Sequence, residues 1–425
     1  MHIDKITVKN FRGFEERTFE FNPSFNLIVG VNGAGKTSLL DALRVALGGW
    51  HYALKIGDKE HRRNINRNEI RLKPFEKGER LNLEPQYPTV ITASGHVMGR
   101  QMTWIRKQER SYYDNTGDLF FKDFLKEITG AVQAGSDIIL PLIVCYDVGR
   151  HWYIPKEQEF DDSQRLSGYK ESFNTKLLAS RVNEWLYKAE YRAFSKNKPR
   201  EEAGKEFKRA ILSCLDGGKR LYFDGDRKQI VVQFEDGHAV PYENLSDGQR
   251  STLTYVGDIA RRIMVLNPGL GEEALNETTG VVLIDELDQH LHPRWQRSII
   301  ESLRSTFPKI QFIASTHSPF LIQSLRSGEE LIMLEGQPLA NLGNIGIEEI
   351  ARGIMEVPRP DTSERYETMK TAAHTYLELL EEAACSPADK LEDYKQKLAE
   401  GIGPYADNPA FQAFLEMKRA VKLGE

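Results

Sequence analysis

The sequence predicts an α/β fold, and three short apolar runs predict it. Phe25–Val29 is apolar apart from Asn26, and a glycine-rich turn and an amphipathic helix follow it. Val281–Ile284 and Ile310–Ala314 are further apolar runs between segments of helical pattern. Runs without alternation are typical of strands that are covered on both faces, because a strand with one solvated face alternates apolar and polar residues. We therefore expect a sheet with helices packed on it.

Composition and charge narrow the possible classes of protein. The 425 residues are 40% hydrophobic and 28% charged, which excludes a fibrous protein and disorder over most of the chain. The apolar stretches fall far short of the roughly 20 residues of a membrane span, and the first ten residues alternate like a strand, unlike a signal peptide. Three scattered cysteines predict a reduced, cytoplasmic protein without membrane association. With a net charge of −5, any DNA contact needs a local basic patch.

The remaining elements follow from periodicity. Alternation around Ile3–Val8 predicts the first strand, and leucines at helical spacing predict a helix over Lys36–Leu47 that Gly48-Gly49 should end. Hairpins are expected over Thr89–Arg110 and Leu221–Phe234. The patterns of residues 160–215 and of the last eighty residues predict helices. The sequence has no long heptad run, so we expect no coiled-coil arm.

Residues 50–80 are basic in an otherwise acidic chain. Nine Lys and Arg stand against five Asp and Glu between residues 51 and 80. The densest part comprises His61, Arg62, Arg63, Arg67 and Arg71. A solvated surface explains such a cluster, and a contact with nucleic acid or a partner is the alternative. Residues 192–209 form a second basic stretch, so a DNA footprint should fall on these two segments.

The strongest motif is Gly30–Thr37, which fits G-x-x-x-x-G-K-[ST] between a buried strand and an amphipathic helix. Its glycines let backbone N–H groups surround a polyphosphate, and the helix N-terminus adds its positive dipole end. Lys36 should reach the β- and γ-phosphates of ATP, and the Thr37 hydroxyl should ligate Mg²⁺. The predicted nucleotide-binding residues of this segment are Gly30, Asn32, Gly33, Gly35, Lys36, Thr37 and Ser38.

Val281–Ile284 ends in two carboxylates, Asp285 and Glu286. A buried strand that ends in two acids is costly unless a cation neutralises them. We expect Asp285 to hold the Mg²⁺ shell and Glu286 to orient and deprotonate the attacking water. The alternative is an ordinary exposed strand end.

A third motif makes the family resemblance specific. Leu-Ser-Asp-Gly-Gln begins at Leu245, 40 residues before Asp285, and resembles the LSGGQ signature of the ABC ATPase superfamily with Asp247 in place of a glycine. A serine at a helix N-cap, with free amides behind it, suits a phosphate. The resemblance implies nucleotide contacts from Ser246, Gly248 and Gln249.

Further segments resemble the same superfamily. Residues 287–290 are similar to its D-loop, which implies a role for Asp288 in aligning two subunits. Ile313–Ser318 resembles the strand that ends in the switch histidine, so His317 should sense the γ-phosphate. Asn10–Phe14 resembles the start of SMC, RecF and Rad50-like heads, in which the arginine at the position of Arg12 contacts nucleotide phosphate.

The Q-loop residue of this superfamily stays open. Gln101, Gln108 and the turn over residues 146–150 are all candidates, and nothing in the sequence decides between them. The other motifs do not depend on that choice.

Spacing indicates a branch of the superfamily. Lys36 and Asp285 lie 249 positions apart in the sequence, more than in transporter ATPases, and the sequence lacks the coiled coil of SMC proteins. Residues 285–296 and 306–319 resemble the PtuA family, the ATPase subunits of Septu-type or retron-associated anti-phage defence. That resemblance implies a partner nuclease of the HNH type, PtuB-like. Glu335 resembles the start of a Toprim nuclease, but no later strand-borne Asp-x-Asp pair follows, so we expect no nuclease centre in this chain.

The resemblance implies an ABC-type P-loop ATPase head, with a mixed sheet, an antiparallel β subdomain, a helical insert and a helical C-terminal tail. We expect an N-terminal lobe over 1–155, the insert over 156–220, a C-terminal lobe over 221–335, and a helical region for partner or self-association over 336–425. Two heads should enclose ATP as a homodimer or a higher even-numbered oligomer. DNA should be contacted directly or through the complex.

Two other functions compete with the defence ATPase. A RecF-like repair ATPase would act on DNA by itself, and tight autonomous DNA binding would favour it. A transporter subunit is disfavoured by the long insert and by the Asn10–Phe14 segment.

Overall fold

The computed structural model divides into two compact units, Met1–Glu356 and Val357–Glu425. It describes residues 1–53, 63–77, 80–109, 115–117, 119–147, 164–173, 178–197, 199, 202–335, 345–384, 396–397 and 408–423. Among the predicted features, His61, Arg62, Cys385 and residues 148–150 lie outside the described residues. The four predicted domain ranges stay a prediction.

The described strands and helices have the following bounds. The strands are β1 (His2–Phe11), β2 (Phe14–Glu20), β3 (Phe25–Val29), β4 (Leu72–Lys77), β5 (Arg80–Pro85), β6 (Thr89–Val97), β7 (Arg100–Gln108), β8 (Asn115–Gly117), β9 (Leu142–Tyr146), β10 (Gly218–Asp224), β11 (Gln229–Phe234), β12 (Ala239–Pro241), β13 (Gly280–Ile284), β14 (Ile310–Ser315) and β15 (Leu331–Met333). The helices are α1 (Lys36–Ala53), α2 (Leu119–Gln133), α3 (Leu178–Ser195), α4 (Lys205–Cys214), α5 (Asp247–Leu266), α6 (Ala274–Glu277), α7 (Pro293–Gln296), α8 (Ile299–Thr306), α9 (Pro319–Gln323), α10 (Ile347–Gly353), α11 (Glu364–Ala384) and α12 (Pro409–Leu423).

A parallel five-stranded sheet forms the centre of the first unit, in the order β15-β3-β14-β13-β9. Every residue of β3, β9, β13 and β14 is buried, as expected for strands covered on both faces. Ile284 is level with Ala314 of β14 and with Tyr146 of β9. The polar residues that follow these strands therefore meet at one edge of the sheet.

Antiparallel strands complete the unit and confirm the predicted mixed architecture. One sheet has the order β2-β1-β6-β7-β8, a second has the order β10-β11-β12, and β4 pairs with β5. The hairpins β6–β7 and β10–β11 are the two that alternation predicts. The hairpin β4–β5 begins in the basic segment, where we expected no strand. Three apolar side chains of this hairpin, Leu72, Phe75 and Leu83, are exposed.

The predicted end of α1 at Gly48-Gly49 is wrong, because the helix continues to Ala53. A Cβ atom at Gly48 would lie 2.3 Å from the carbonyl oxygen of Arg63. Gly48 therefore serves the close approach of another segment and does not cap the helix. Trp50, beyond the two glycines, is fully buried and supplies the apolar contact that sustains the last turn.

The second unit has a small core of its own. Helices α11 and α12 bury Tyr376, Leu380 and Leu415 against each other. Amphipathic spacing predicts this packing, since each helix presents one apolar face.

Candidate functional site

The predicted polyphosphate loop joins β3 to α1. Gly33 and Gly35 have φ values of 90° and 105°, a region that residues with a side chain rarely adopt. The Lys36 ammonium group donates to the carbonyl oxygen of Gly30 at 2.7 Å and to that of Val31 at 3.2 Å. Burial lowers the pKa of Lys36, and the carboxylates of Asp285, Glu286, Asp288 and Glu335 oppose that shift. The loop therefore holds its cation within electrostatic reach of the acids at the sheet edge.

Thr37 and Asp285 meet at the carboxyl end of β13. The Thr37 hydroxyl donates to Asp285 Oδ2 at 3.2 Å, and the Ser315 hydroxyl donates to Oδ1 at 2.5 Å. Asp285 is buried, whereas Thr37 is exposed. Hydroxyl and carboxylate oxygens are ligands that Mg²⁺ accepts. The Thr37 and Asp285 oxygens lie next to each other beside the polyphosphate loop, so they fit as ligands of the metal ion of a nucleotide complex.

Glu286 has an unusual backbone conformation. Its φ is 49°, a left-handed value that costs energy in a residue with a side chain. Its N–H donates to the Ser315 hydroxyl at 2.8 Å, and its carbonyl oxygen accepts from the N–H of Gln289 at 3.0 Å. These contacts hold the strained turn, in which the half-buried Glu286 directly follows Asp285.

Asp288 joins the turn after β13 to the segment after β14. Its Oδ1 accepts from the Thr316 hydroxyl at 2.5 Å and from the backbone N–H of His317 at 3.2 Å. The His317 side chain is exposed. The Ser318 hydroxyl donates to the Gln296 side chain at 2.6 Å, which fixes the next residue as well. The predicted switch histidine is thus held through its backbone.

Ser246 caps α5. Its hydroxyl accepts from the N–H of Gln249 at 3.3 Å, and the Gln249 side chain accepts from the N–H of Ser246 at 3.0 Å. Ser246 is exposed at the start of a 20-residue helix. Gly248 is buried, and a Cβ atom there would lie 2.5 Å from the carbonyl oxygen of His290. In the described chain, no hydrogen bond joins Ser246 or Gln249 to residues 30–38.

Arg12 belongs to a network of charges beside α1. Its guanidinium lies 2.6 Å from Asp41 Oδ2 and 3.3 Å from Glu69 Oε1. Arg63 contacts the same two carboxylates, and Arg44 contacts Asp41 at 3.3 Å. Glu69 is almost fully buried, whereas a third of the Arg12 side chain is exposed. The role of Arg12 toward a phosphate stays a prediction.

The Q-loop candidates remain undecided. Gln108 is buried at the end of β7, and Gln101 is exposed near its start. Asp147, which follows β9, accepts from Arg44 of α1. Of the candidate turn, only Tyr146 and Asp147 are among the described residues.

The motifs alone missed Ser315 and Thr316, which hold Asp285 and Asp288. The signal was present in the sequence, because hydroxyl residues end the strand beside β13. Parallel pairing of Ile284 with Ala314 places Ser315 level with Asp285.

The strand order of the chain and the geometry of this site together identify the fold as that of an α/β ABC-type P-loop ATPase. A strand, a glycine loop and a helix carry Lys36 and Thr37, and the neighbouring parallel strands supply Asp285 and His317. Comparisons with known proteins agree with it. Residues 5–216 match a family model described as "AAA domain", and residues 150–323 match one described as "AAA domain, putative AbiEii toxin, Type IV TA system".

Similar proteins include the Retron Vc95 probable ATPase of Vibrio cholerae, 48% identical over 25% of this chain and 20% of that protein. The Septu protein PtuA of Bacillus mycoides is 28% identical over 79% of this chain and 41% of that protein. The Retron Ec83 probable ATPase of Escherichia coli is 25% identical over 79% of this chain and 72% of that protein. The solved SMC head domain from Thermotoga maritima matches with a TM-score of 0.42 and 17% identity, covering 78% of this chain and 94% of that one.

The chain is therefore PtuA-like and is similar to ATPases of Septu and retron systems, as its motifs indicate. The chain spans about a fifth of the length of the Retron Vc95 probable ATPase and about two fifths of the length of the Septu protein PtuA of Bacillus mycoides. Among the helices of the described residues, none is long and apolar enough to cross a membrane.

Proposed function

We propose that this chain is the regulatory ATPase of an anti-phage defence complex, which hydrolyses ATP between two copies of itself and controls a partner HNH nuclease. One observation carries the proposal. Lys36, Thr37, Asp285 and Glu286 gather in one chain, while the helix cap at Ser246 is exposed and contacts none of them through hydrogen bonds in the described residues.

Each residue has a role that follows from its geometry. The Lys36 ammonium group already lies at the polyphosphate loop, where it donates to the carbonyl oxygens of Gly30 and Val31. When ATP binds, it exchanges these oxygens for the phosphates. Thr37 and Asp285 hold Mg²⁺, which when bound neutralises phosphate charge. Glu286, fixed by its strained turn, accepts a proton from the attacking water. Positioning and charge neutralisation supply most of the catalysis of phosphoryl transfer.

The second copy supplies the missing contacts. Ser246 presents a hydroxyl and the N-terminus of α5, which together favour an anion. In a symmetric dimer, the cap of each chain faces the polyphosphate loop of its partner, so that two ATP molecules lie in the interface. Hydrolysis then depends on closure, and ATP binding strengthens the dimer because the same contacts serve both.

Mixing two inactive variants tests this shared site. Lys36→Ala removes the loop cation, and Ser246→Arg blocks the cap. Each chain alone should lack ATPase activity. In a 1:1 mixture, half the dimers combine the two chains and contain one intact site, so about a quarter of the wild-type activity should return.

The matched control is Ser305→Arg, at an exposed serine of α8. It should retain full activity, which excludes a general effect of a surface arginine. If the mixture stays inactive although the two variants, carrying different affinity tags, co-purify as mixed dimers, the site is not shared and this part of the proposal fails.

The partner nuclease follows from the similarity to PtuA and needs a separate test. The gene beside this one should encode a small HNH protein, and co-expression should yield a complex of fixed stoichiometry. The complex should cleave DNA in a manner that depends on nucleotide, and the ATPase chain alone should not. An untagged HNH protein that fails to co-purify would exclude this partner.

Direct DNA binding, the RecF-like alternative, finds less support in the described basic segments. Five of their cations pair with carboxylates of the same chain: Arg63, Arg71, Lys205, Lys208 and Arg209. Such pairing reduces the positive potential that attracts phosphates. We therefore propose that DNA is contacted mainly through the complex. Reversal of the exposed Arg67 to glutamate should leave the DNA affinity of the complex unchanged, and a loss would favour the alternative.

A further inference from the structure

Two imidazoles and a carboxylate meet on β1 and β6, outside the nucleotide site. His2 and His96 are directly opposite each other in the antiparallel pair, and their rings stack with centroids 4.7 Å apart. Asp4 lies where the register shifts between Ile3 and Lys5, at a β-bulge. Bulges re-aim side chains. The Asp4 carboxylate consequently lies beside both rings.

The distances describe a chelating group. Asp4 Oδ1 is 3.0 Å from His2 Nε2, and Asp4 Oδ2 is 3.1 Å from His96 Nδ1. One ligand atom from each residue lies within 4.8 Å of the other two. In a tetrahedral zinc site with bonds of about 2.0–2.1 Å, ligand atoms are about 3.3 Å apart. Small side-chain rotations would therefore bring all three atoms onto one ion.

We propose that His2, Asp4 and His96 bind a divalent transition metal, with Zn²⁺ as the representative ion. Two imidazole nitrogens and one carboxylate oxygen are a donor set that suits Zn²⁺, Co²⁺ and Ni²⁺, whereas Mg²⁺ prefers oxygen alone. Three protein ligands leave the fourth position to water. The ion would clamp β1 to β6 and stabilise the antiparallel sheet.

The surroundings agree with a metal site. The three side chains are between 33% and 42% exposed, so an ion can enter from solvent. Across the described residues, this is the one group of three His, Cys, Asp or Glu side chains that lies within chelating distance.

His238 provides a matched control. It lies beside Asp236 in an exposed pair on the turn after β11, but among the described residues no third ligand joins them. An ordinary imidazole–carboxylate pair binds metal weakly. A higher Zn²⁺ affinity at the group of His2, Asp4 and His96 than at the pair of His238 and Asp236 is therefore due to the third ligand.

Calorimetric titration with ZnCl₂, on protein freed of any affinity tag and of nucleotide, tests the proposal. We expect one equivalent bound, the appearance of visible absorption with Co²⁺, and a higher melting temperature with Zn²⁺. His96→Ala and Asp4→Asn should each weaken the affinity by at least about tenfold. His238→Ala should not change it, and Asp285→Asn should not either, which separates this site from the nucleotide metal.

Circular dichroism of each variant without metal establishes that it is folded. Loss of the Zn²⁺ effect on melting temperature in a folded His96→Ala protein supports the site. Full-affinity binding by that variant, or no binding by the wild type at micromolar Zn²⁺, overturns it.

Discussion

Asp288 holds His317 through the backbone of the switch segment, and not through the imidazole. The carboxylate accepts from the His317 N–H at 3.2 Å and from the Thr316 hydroxyl at 2.5 Å. The turn after β13 and the end of β14 are therefore one mechanical unit. A movement of the D-loop segment at a subunit interface would move the histidine that is proposed to sense the γ-phosphate.

This link predicts the behaviour of Asp288 variants. Asp288→Ala removes both acceptor contacts and leaves the Thr316 hydroxyl without its partner, so His317 should lose its position. We expect ATP hydrolysis to fall by about 10²-fold, as for loss of one positioned group, with the dissociation constant for ATP nearly unchanged. Fluorescent-nucleotide binding and steady-state phosphate release measure the two quantities.

Asp288→Asn is the matched control for that experiment. The amide oxygen can still accept both hydrogen bonds, so activity should stay close to that of the wild type. Equal losses of ATP hydrolysis in the two variants would show that the negative charge of Asp288 is what hydrolysis requires. The proposed positioning of His317 through hydrogen bonds would then be rejected.

Glu286 is predicted to be the general base. Glu286→Gln keeps the size of the side chain but cannot accept a proton, so hydrolysis should fall by about 10²–10⁴-fold. ATP should remain bound, and size-exclusion chromatography with light scattering should show a more persistent dimer. Lys36→Ala should instead weaken ATP binding itself. Wild-type turnover by Glu286→Gln would reject the assignment.

Most of the site was predictable because its parts are local in sequence. The loop at Gly30–Thr37 and the acids Asp285 and Glu286 are recognisable in the sequence from their residue types and from the apolar strand that precedes each of them. Arg63 shows what was not predictable. It stands in a basic run that predicts a solvated or DNA-binding surface, yet it is largely buried against Asp41 and Glu69. Its partners come from distant segments, and only the folded chain brings them together.

Gly48 illustrates the same limit and gives a stability prediction. Alanine normally favours a helix by about 1 kcal/mol over glycine, but a Cβ atom at Gly48 would lie 2.3 Å from the Arg63 carbonyl. We expect Gly48→Ala to lower the free energy of unfolding by about 1–3 kcal/mol. Gly130, in α2, has nothing within 4 Å of such an atom. Gly130→Ala should raise the melting temperature, and a similar rise for Gly48→Ala would contradict the packing argument.

Asp258 should make stability depend on pH. Burial alone raises the pKa of Asp258, but the guanidinium groups of Arg262 and Arg261, at 2.6 and 2.8 Å, outweigh it and hold the pKa well below its usual range. Because the folded pKa is depressed, the stabilisation is complete above about pH 4 and is lost as the pH falls further. Asp258→Asn should cost about 3–5 kcal/mol at pH 7.

Denaturant titrations from pH 7 down to pH 3 check this sign. The difference in unfolding free energy between wild type and Asp258→Asn should be constant at neutral pH and shrink below about pH 4. Asp226→Asn, at an exposed turn, should show little difference at any pH. A gap that widens on acidification would be incompatible with a depressed pKa.

Glu69 is predicted to be the carboxylate on which the Arg12 network depends. It is 1% exposed and contacts both Arg12 and Arg63, so Glu69→Gln removes one of the two carboxylates that these guanidinium groups share and leaves Asp41. Removing one partner from a buried ion pair costs about 3–5 kcal/mol, and the melting temperature should fall accordingly. Glu15→Gln tests the opposite case, since Glu15 is mostly exposed and contacts Arg71 at 2.9 Å. Exposed pairs contribute about 0–1 kcal/mol, so an equal loss in both variants would show that burial does not decide the effect.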